Sequence, residues 1–132
     1  MQYLVALTQT RPIAIHFSFY QPPEREAPVY VPKLLGPLGA FVQVEVRREK
    51  KGVVYQSQKP KINLKLHPSR AESYHLLEPG YTYGIVLQVE ELQLEPGDYQ
   101  LYLSYSNLPF QGFPGYTLGE LSYSTTLSFQ VD

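Results

Sequence analysis

The sequence predicts an all-β protein, a sandwich of two antiparallel sheets with about seven to nine strands. Three observations predict it. Apolar and polar side chains alternate with a period of two in one stretch after another, most regularly over Ile13 to Tyr20 and Leu121 to Val131. Turn formers stand between these stretches, with Pro-Gly at 79–80 and again at 96–97. Twelve tyrosines, twelve prolines, nine glycines and no tryptophan lean the composition towards strands and turns and away from helix.

The strands follow in order. Residues 3 to 8 read as an edge strand, and Ile13-Ala14-Ile15-His16-Phe17-Ser18-Phe19-Tyr20 as a second with Ile13, Ile15, Phe17 and Phe19 facing the core and His16 and Ser18 pointing outward. From Gln21 to Gly39 five prolines and two glycines surround the apolar island Val29-Tyr30-Val31, which predicts a long loop holding one short strand. Ala40 to Arg48 alternates with Val42, Val44 and Val46 inward, residues 48–52 form a hairpin tip, and Val53 to Gln56 returns. The basic tip reads as a solvated, charged turn. Lys61 to His67 is a further strand whose outward lysines would guard an edge. Ser73 to Leu77 is a short strand. Tyr81 to Glu90 is a long one with Tyr83, Ile85, Leu87 and Val89 on one face, and Gly84 inside it marks a bulge or a close backbone approach.

The strand from Tyr99 to Tyr105 is entered through Leu94-Glu95-Pro96-Gly97-Asp98. Tyr99, Leu101, Leu103 and Tyr105 share one face, and Gln100, Tyr102 and Ser104 the other. Pro96 presets φ and Gly97 supplies permissive backbone, so Tyr99 can lie back across the corner with its hydroxyl on a backbone group upstream. Pro96, Gly97 and Tyr99 are therefore structural residues.

The run Leu94 to Leu101, L-x-P-G-x-Y-x-L, resembles the corner of fibronectin type III and related immunoglobulin-like domains. Leu77-Glu78-Pro79-Gly80 ahead of a strand, and Gly119-Glu120-Leu121-Ser122 opening a last strand that ends in Phe129-Gln130-Val131, extend the resemblance over roughly residues 72 to 132. That layout is similar to small bacterial immunoglobulin-like domains, including the intracellular proteinase inhibitor family. The resemblance implies an immunoglobulin-like sandwich and admits proteinase inhibition. The amino-terminal half departs from the pattern, and no reactive-loop motif falls on particular residues.

At 132 residues the chain is the size of one domain, read as 1–132, and can bury a core without staples. The absence of cysteine removes disulfides, thiol catalysis and cysteine-ligated metals. Eleven basic against twelve acidic side chains give no electrostatic reason to expect nucleic acid or an anionic membrane as partner. The first eight residues read as a strand, not a signal peptide, and no run approaches the roughly 18 apolar residues of a spanning helix. The expectation is a protein without membrane insertion, cytoplasmic by default and extracytoplasmic if a signal was trimmed.

Catalytic patterns are missing. There is no G-x-S-x-G elbow, no phosphate loop and no dinucleotide fingerprint. Of two aspartates, Asp98 lies in a turn and Asp132 ends the sequence, and Glu90 and Glu91 would point to opposite faces of a strand. His16, His67 and His75 make no metal motif. No enzyme, cofactor or metal site is expected.

What stands out is Asn107 to Leu118, a connection between the last two strands that carries Phe110, Phe113 and Tyr116 with two prolines and two glycines. Clustered aromatics on a loop mark a binding surface if exposed, or plug the end of the sandwich if folded back. The proline-rich segment 21–39, with Tyr30 and Leu35, has the same two readings. The function expected is a non-catalytic module recognising a protein or peptide, possible self-association into a homodimer included, through segments 21–39 and 107–118. The alternatives are a carbohydrate-binding module using outward tyrosines such as Tyr102 and Tyr20, and a small proteinase inhibitor.

Overall fold

The computed structural model describes residues 2–24, 29–32, 41–57, 74–89, 92–106 and 122–132. They form nine strands and no helix: β1 Gln2–Thr10, β2 Ile13–Tyr20, β3 Val29–Pro32, β4 Val42–Arg48, β5 Gly52–Gln56, β6 Tyr74–Leu77, β7 Thr82–Val89, β8 Gly97–Ser106 and β9 Ser122–Val131. All pairings are antiparallel. One sheet runs β1-β2-β7, a second β5-β4-β8-β9, and a third is the two-stranded ribbon β3-β6.

Two sheets were expected, and the ribbon is the addition. It is built from the apolar island 29–31 plus Pro32, pairing residue by residue with Leu77 back to Tyr74. Pro32, at the last described position of β3, has no N–H and gives the ladder no donor there. The expected strand Lys61–His67 lies outside the described residues.

One hydrophobic cluster joins all three sheets. Ile13, Ile15, Phe17 and Phe19 of β2 face Val42, Val44 and Val46 of β4 and Tyr99, Leu101, Leu103 and Tyr105 of β8, with Val31 and Leu77 added from the ribbon. Alternation is the physical origin of this arrangement: every second residue of β4 and β8 is removed from water and carries an apolar side chain, and β2 buries Ile13, Ile15, Phe17 and Phe19 in the same way, with Ala14 and Ser18 buried on its other face as well. Rings connect the first sheet to the four-stranded one, with centroid distances to Tyr105 of 5.5 Å from Phe17, 5.0 Å from Phe19 and 6.1 Å from Tyr3.

Two register shifts occur, between Leu7 and Gln9 of β1 and between Val46 and Arg47 beside β5. Neither is at Gly84. The β2–β7 register runs unbroken through Ser18 opposite Gly84, so that glycine marks a close approach and not a bulge. The same approach accounts for Ser18. It lies on the outer face, as expected, yet is only 1% exposed, because it fills the space a side chain at 84 would take.

Candidate functional site

The described strand ends that flank the long connections lie together. β2 ends at Tyr20, β4 begins at Val42 opposite Tyr105, β5 ends at Gln56, β8 ends at Ser106, and β9 begins at Ser122 opposite Ser106. These ends share one end of the molecule. Ser106 donates its backbone N–H to the Phe41 carbonyl at 3.0 Å, so the residue that precedes segment 107–121 is bonded to the residue that follows segment 33–40. Beside them, Ser57 closes the β4–β5 edge: its N–H donates to the Val44 carbonyl at 2.9 Å and its Oγ accepts from Val44 N–H at 2.9 Å. At this end Gln21 also bonds the β6–β7 turn, accepting from Gly80 N–H at 2.7 Å and donating to the Tyr81 carbonyl at 3.1 Å.

Beneath that end lies a floor of rings. Tyr3 stacks on Tyr123 at 4.5 Å and 13°, and Phe17, Phe19 and Tyr105 meet around it. The Tyr105 hydroxyl is buried with no hydrogen-bond partner among the described residues. Burial, reinforced by the neighbouring phenols of Tyr3 and Tyr74, holds its pKa far above the ordinary tyrosine value, and burial alone raises those of Tyr3 and Tyr83. A phenol whose folded pKa is raised adds stability that is complete below the unfolded value near 10 and is lost as pH rises beyond it. The urea midpoint should therefore hold level to about pH 9 and fall above about pH 10. Tyr105→Phe should make that fall shallower; an identical alkaline slope in the variant would contradict it.

Of the residues singled out in the sequence for binding, Tyr30 sits on β3 opposite Leu76, half-buried against the core. Phe110, Phe113, Tyr116 and Leu35 lie outside the described residues, as do His67, Glu90 and Glu91. His16 is exposed on the outer face of the first sheet, and His75 stacks on Tyr83 at 4.6 Å. No group of three or more metal-capable side chains occurs among the described residues, and no described helix is long and apolar enough to cross a membrane.

The opposite end carries the corner. The Tyr99 hydroxyl donates to the Glu95 carbonyl at 2.6 Å while its ring stacks on Phe129. Arg48, the last residue of β4, adds a clamp invisible in the local sequence. Its guanidinium donates to the Pro96 carbonyl at 2.8 Å and to Glu95 Oε2 at 3.0 Å, and lies 5.8 Å from the Tyr99 ring centroid. Gly97, at φ 156°, makes this possible, since a Cβ there would stand 3.0 Å from Arg48 Nε. Glu95 is largely exposed, so the ion pair itself adds little and the bonds to backbone carry the corner. Tyr99→Phe should cost about 0.5–1.5 kcal/mol in urea unfolding, the net worth of one such bond. An unchanged midpoint would show that the hydroxyl bond contributes nothing.

Tyr102 points outward from the four-stranded sheet above a depression of about 580 Å³ bordered by Gln43, Glu45, Ser104 and Thr126. Its hydroxyl donates to Gln100 Oε1 at 2.7 Å. The Arg47 guanidinium lies 5.4 Å from the ring centroid, held by Glu45 at 2.8 Å, so one ring face is already taken by a cation.

Compared with known proteins, the chain matches no family model, no curated protein and no solved structure.

Proposed function

We propose that the chain is an immunoglobulin-like sandwich that acts by binding, without catalysis, and recognises a protein or peptide through segments 21–39 and 107–118. The strand orders support the fold. Read as A-B-E and C′-C-F-G, β1-β2-β7 and β5-β4-β8-β9 have the order of an immunoglobulin-like pair of sheets, with Tyr99 near the start of the F position as a tyrosine corner demands. Leu101, two residues further and fully buried, takes the place of the second disulfide cysteine of antibody domains.

A single observation carries the binding reading: the Ser106 to Phe41 bond ties together the strand ends that deliver the two unusual segments. Loops that share one rigid end form a composite surface, each strand holding its neighbour's loop in position. Phe110, Phe113 and Tyr116 from one segment, and Tyr30 and Leu35 from the other, supply rigid aromatic and aliphatic anchors of the kind that dominate interface energetics. The test is selection from a displayed peptide library on the wild type, with the Phe110→Ser, Phe113→Ser double variant as counter-target. Peptides that bind the wild type and not an equally stable variant support the reading. A variant that loses several kcal/mol of stability returns the aromatics to the core and removes it.

A further inference from the structure

The edge of the four-stranded sheet opposite β5 is β9, and its outer side has no described strand against it. A long free edge offers a row of unpaired N–H and C=O groups to any extended chain, and proteins ordinarily blunt such edges with charge, proline, a bulge or brevity. Of the other three edges of the two larger sheets, two show these devices. β5 has five residues, faces a register shift at Val46/Arg47 and follows Lys50 and Lys51. β1 has its own shift at Leu7/Gln9. β7 shows none of the four, and His75 of the ribbon stacks on its Tyr83.

β9 has none of them. It is ten residues long, its register with β8 is unbroken from Val131 opposite Gly97 to Ser122 opposite Ser106, and it contains no charged residue, no proline and no glycine. Its inward row is also unfinished. Tyr99, Leu101, Leu103 and Tyr105 of β8 are buried, whereas Tyr123, Thr125, Leu127 and Phe129 of β9 remain half-exposed. Extending the sheet by one more strand would cover them.

The order of residues says which strand fits. Around Thr126 the sequence of β9 is partly palindromic: Ser124 and Ser128 lie two positions away on the outer face and Tyr123 and Phe129 three positions away on the inner face, while Thr125 and Leu127, one position away, do not match. We propose that β9 pairs antiparallel with β9 of a second copy of this chain about a two-fold axis at Thr126, joining two four-stranded sheets into one. In that register Thr126 opposes the partner's Thr126, Ser124 opposes the partner's Ser128, and Tyr123 opposes the partner's Phe129. Hydroxyl pairs and aromatic pairs are the favourable cross-strand combinations, and no charge meets its like. A two-fold interface must be self-complementary in this way, and an unrelated peptide imposes no such symmetry on the strand. The axis at Thr126 lies mid-strand, away from the Ser122 end of β9, so the assembly would present two loop ends.

Thr126 is exposed on the outer face, so charge placed there leaves the fold intact. Light scattering after gel filtration at about 100 μM, well above a micromolar dissociation constant, should give a dimer for the wild type. Thr126→Lys and Thr126→Glu should each be monomeric with unchanged circular dichroism, and an equimolar mixture of the two should recover the dimer. Because the chain has no cysteine, Thr126→Cys can form a disulfide only with another copy, and should give a covalent dimer on oxidation without altering charge. A monomeric wild type, a dimer that survives Thr126→Lys, a Thr126→Cys chain that stays monomeric on oxidation, or a dimer abolished by Phe110→Ser with Phe113→Ser would each overturn the proposal.

Discussion

Phe17→Ala is expected to lower the unfolding free energy by about 3–5 kcal/mol, the range for deleting a fully buried ring. Phe17 is completely buried, with Phe19 at 5.1 Å and 81°, Tyr105 at 5.5 Å and Tyr3 at 6.4 Å. Those neighbours come from β1, β2 and β8, so the cavity opens between two sheets and no single strand can move to close it. A domain of this size has about 5–15 kcal/mol in total, which makes this one substitution a large share of it. Leu4→Ala is the matched control. Leu4 belongs to the same sheet but is 52% exposed on its outer face, and its loss should stay within about 0.5 kcal/mol. Equal losses at the two positions in urea unfolding would contradict the division of that sheet into an inner and an outer face.

What the sequence made legible was whatever local chemistry fixes. The inner faces of β2, β4 and β8 followed from period-two alternation, because one face of each strand is dry; on the outer face of β2 the alternation did not tell that Ala14 and Ser18 are buried too. The corner followed from Pro96-Gly97 and a tyrosine two residues on, a contact spanning only Glu95 to Tyr99. Arg48 was read as part of a charged hairpin tip, since nothing nearby in sequence tells that its guanidinium reaches Glu95 and Pro96, 47 and 48 residues away. The ribbon β3-β6 was half legible: Val29 to Val31 was recognised as a short strand, but pairing with Tyr74 to Leu77 depends on tertiary placement. The bulge in β1 carries no glycine or proline to mark it, and the Thr8 hydroxyl donating to the Ala14 carbonyl at 3.1 Å is visible only once the strands are paired.

For the candidate site, the sequence marked the aromatic and proline-rich segments by composition but not their meeting point. That strand ends flanking both segments meet at one end of the molecule follows from strand order and from the Ser106 to Phe41 bond, neither of which alternation encodes. The self-complementary order about Thr126 was present in the sequence all along. It acquires meaning only because no described strand lies on the outer side of β9, since the same order on a central strand would be fully paired already.

Gly84→Ala should be the most damaging small substitution on the surface of the first sheet. A Cβ at this position would stand 2.3 Å from Ser18 Cβ, 2.6 Å from the Phe17 carbonyl oxygen and 2.8 Å from Ser18 Cα. Two effects compete. Removing a glycine from a strand gains about 0.5–1 kcal/mol through the unfolded chain. Overpacking costs about 1–3 kcal/mol and more where backbone must move, and two of the three contacts here are backbone atoms that no rotamer change relieves. The clash therefore wins, and β7 must separate from β2, pulling Ile85 and Leu87 away from their places opposite Phe17 and Ile15. Adding Ser18→Gly removes the shortest contact but leaves the other two, so stability should return only in part. A Gly84→Ala chain as stable as the wild type would show that the strands tolerate a wider spacing, and full rescue by Ser18→Gly would place the whole conflict between side chains. Partial rescue is the signature of backbone set against backbone, which is why only glycine serves at this crossing.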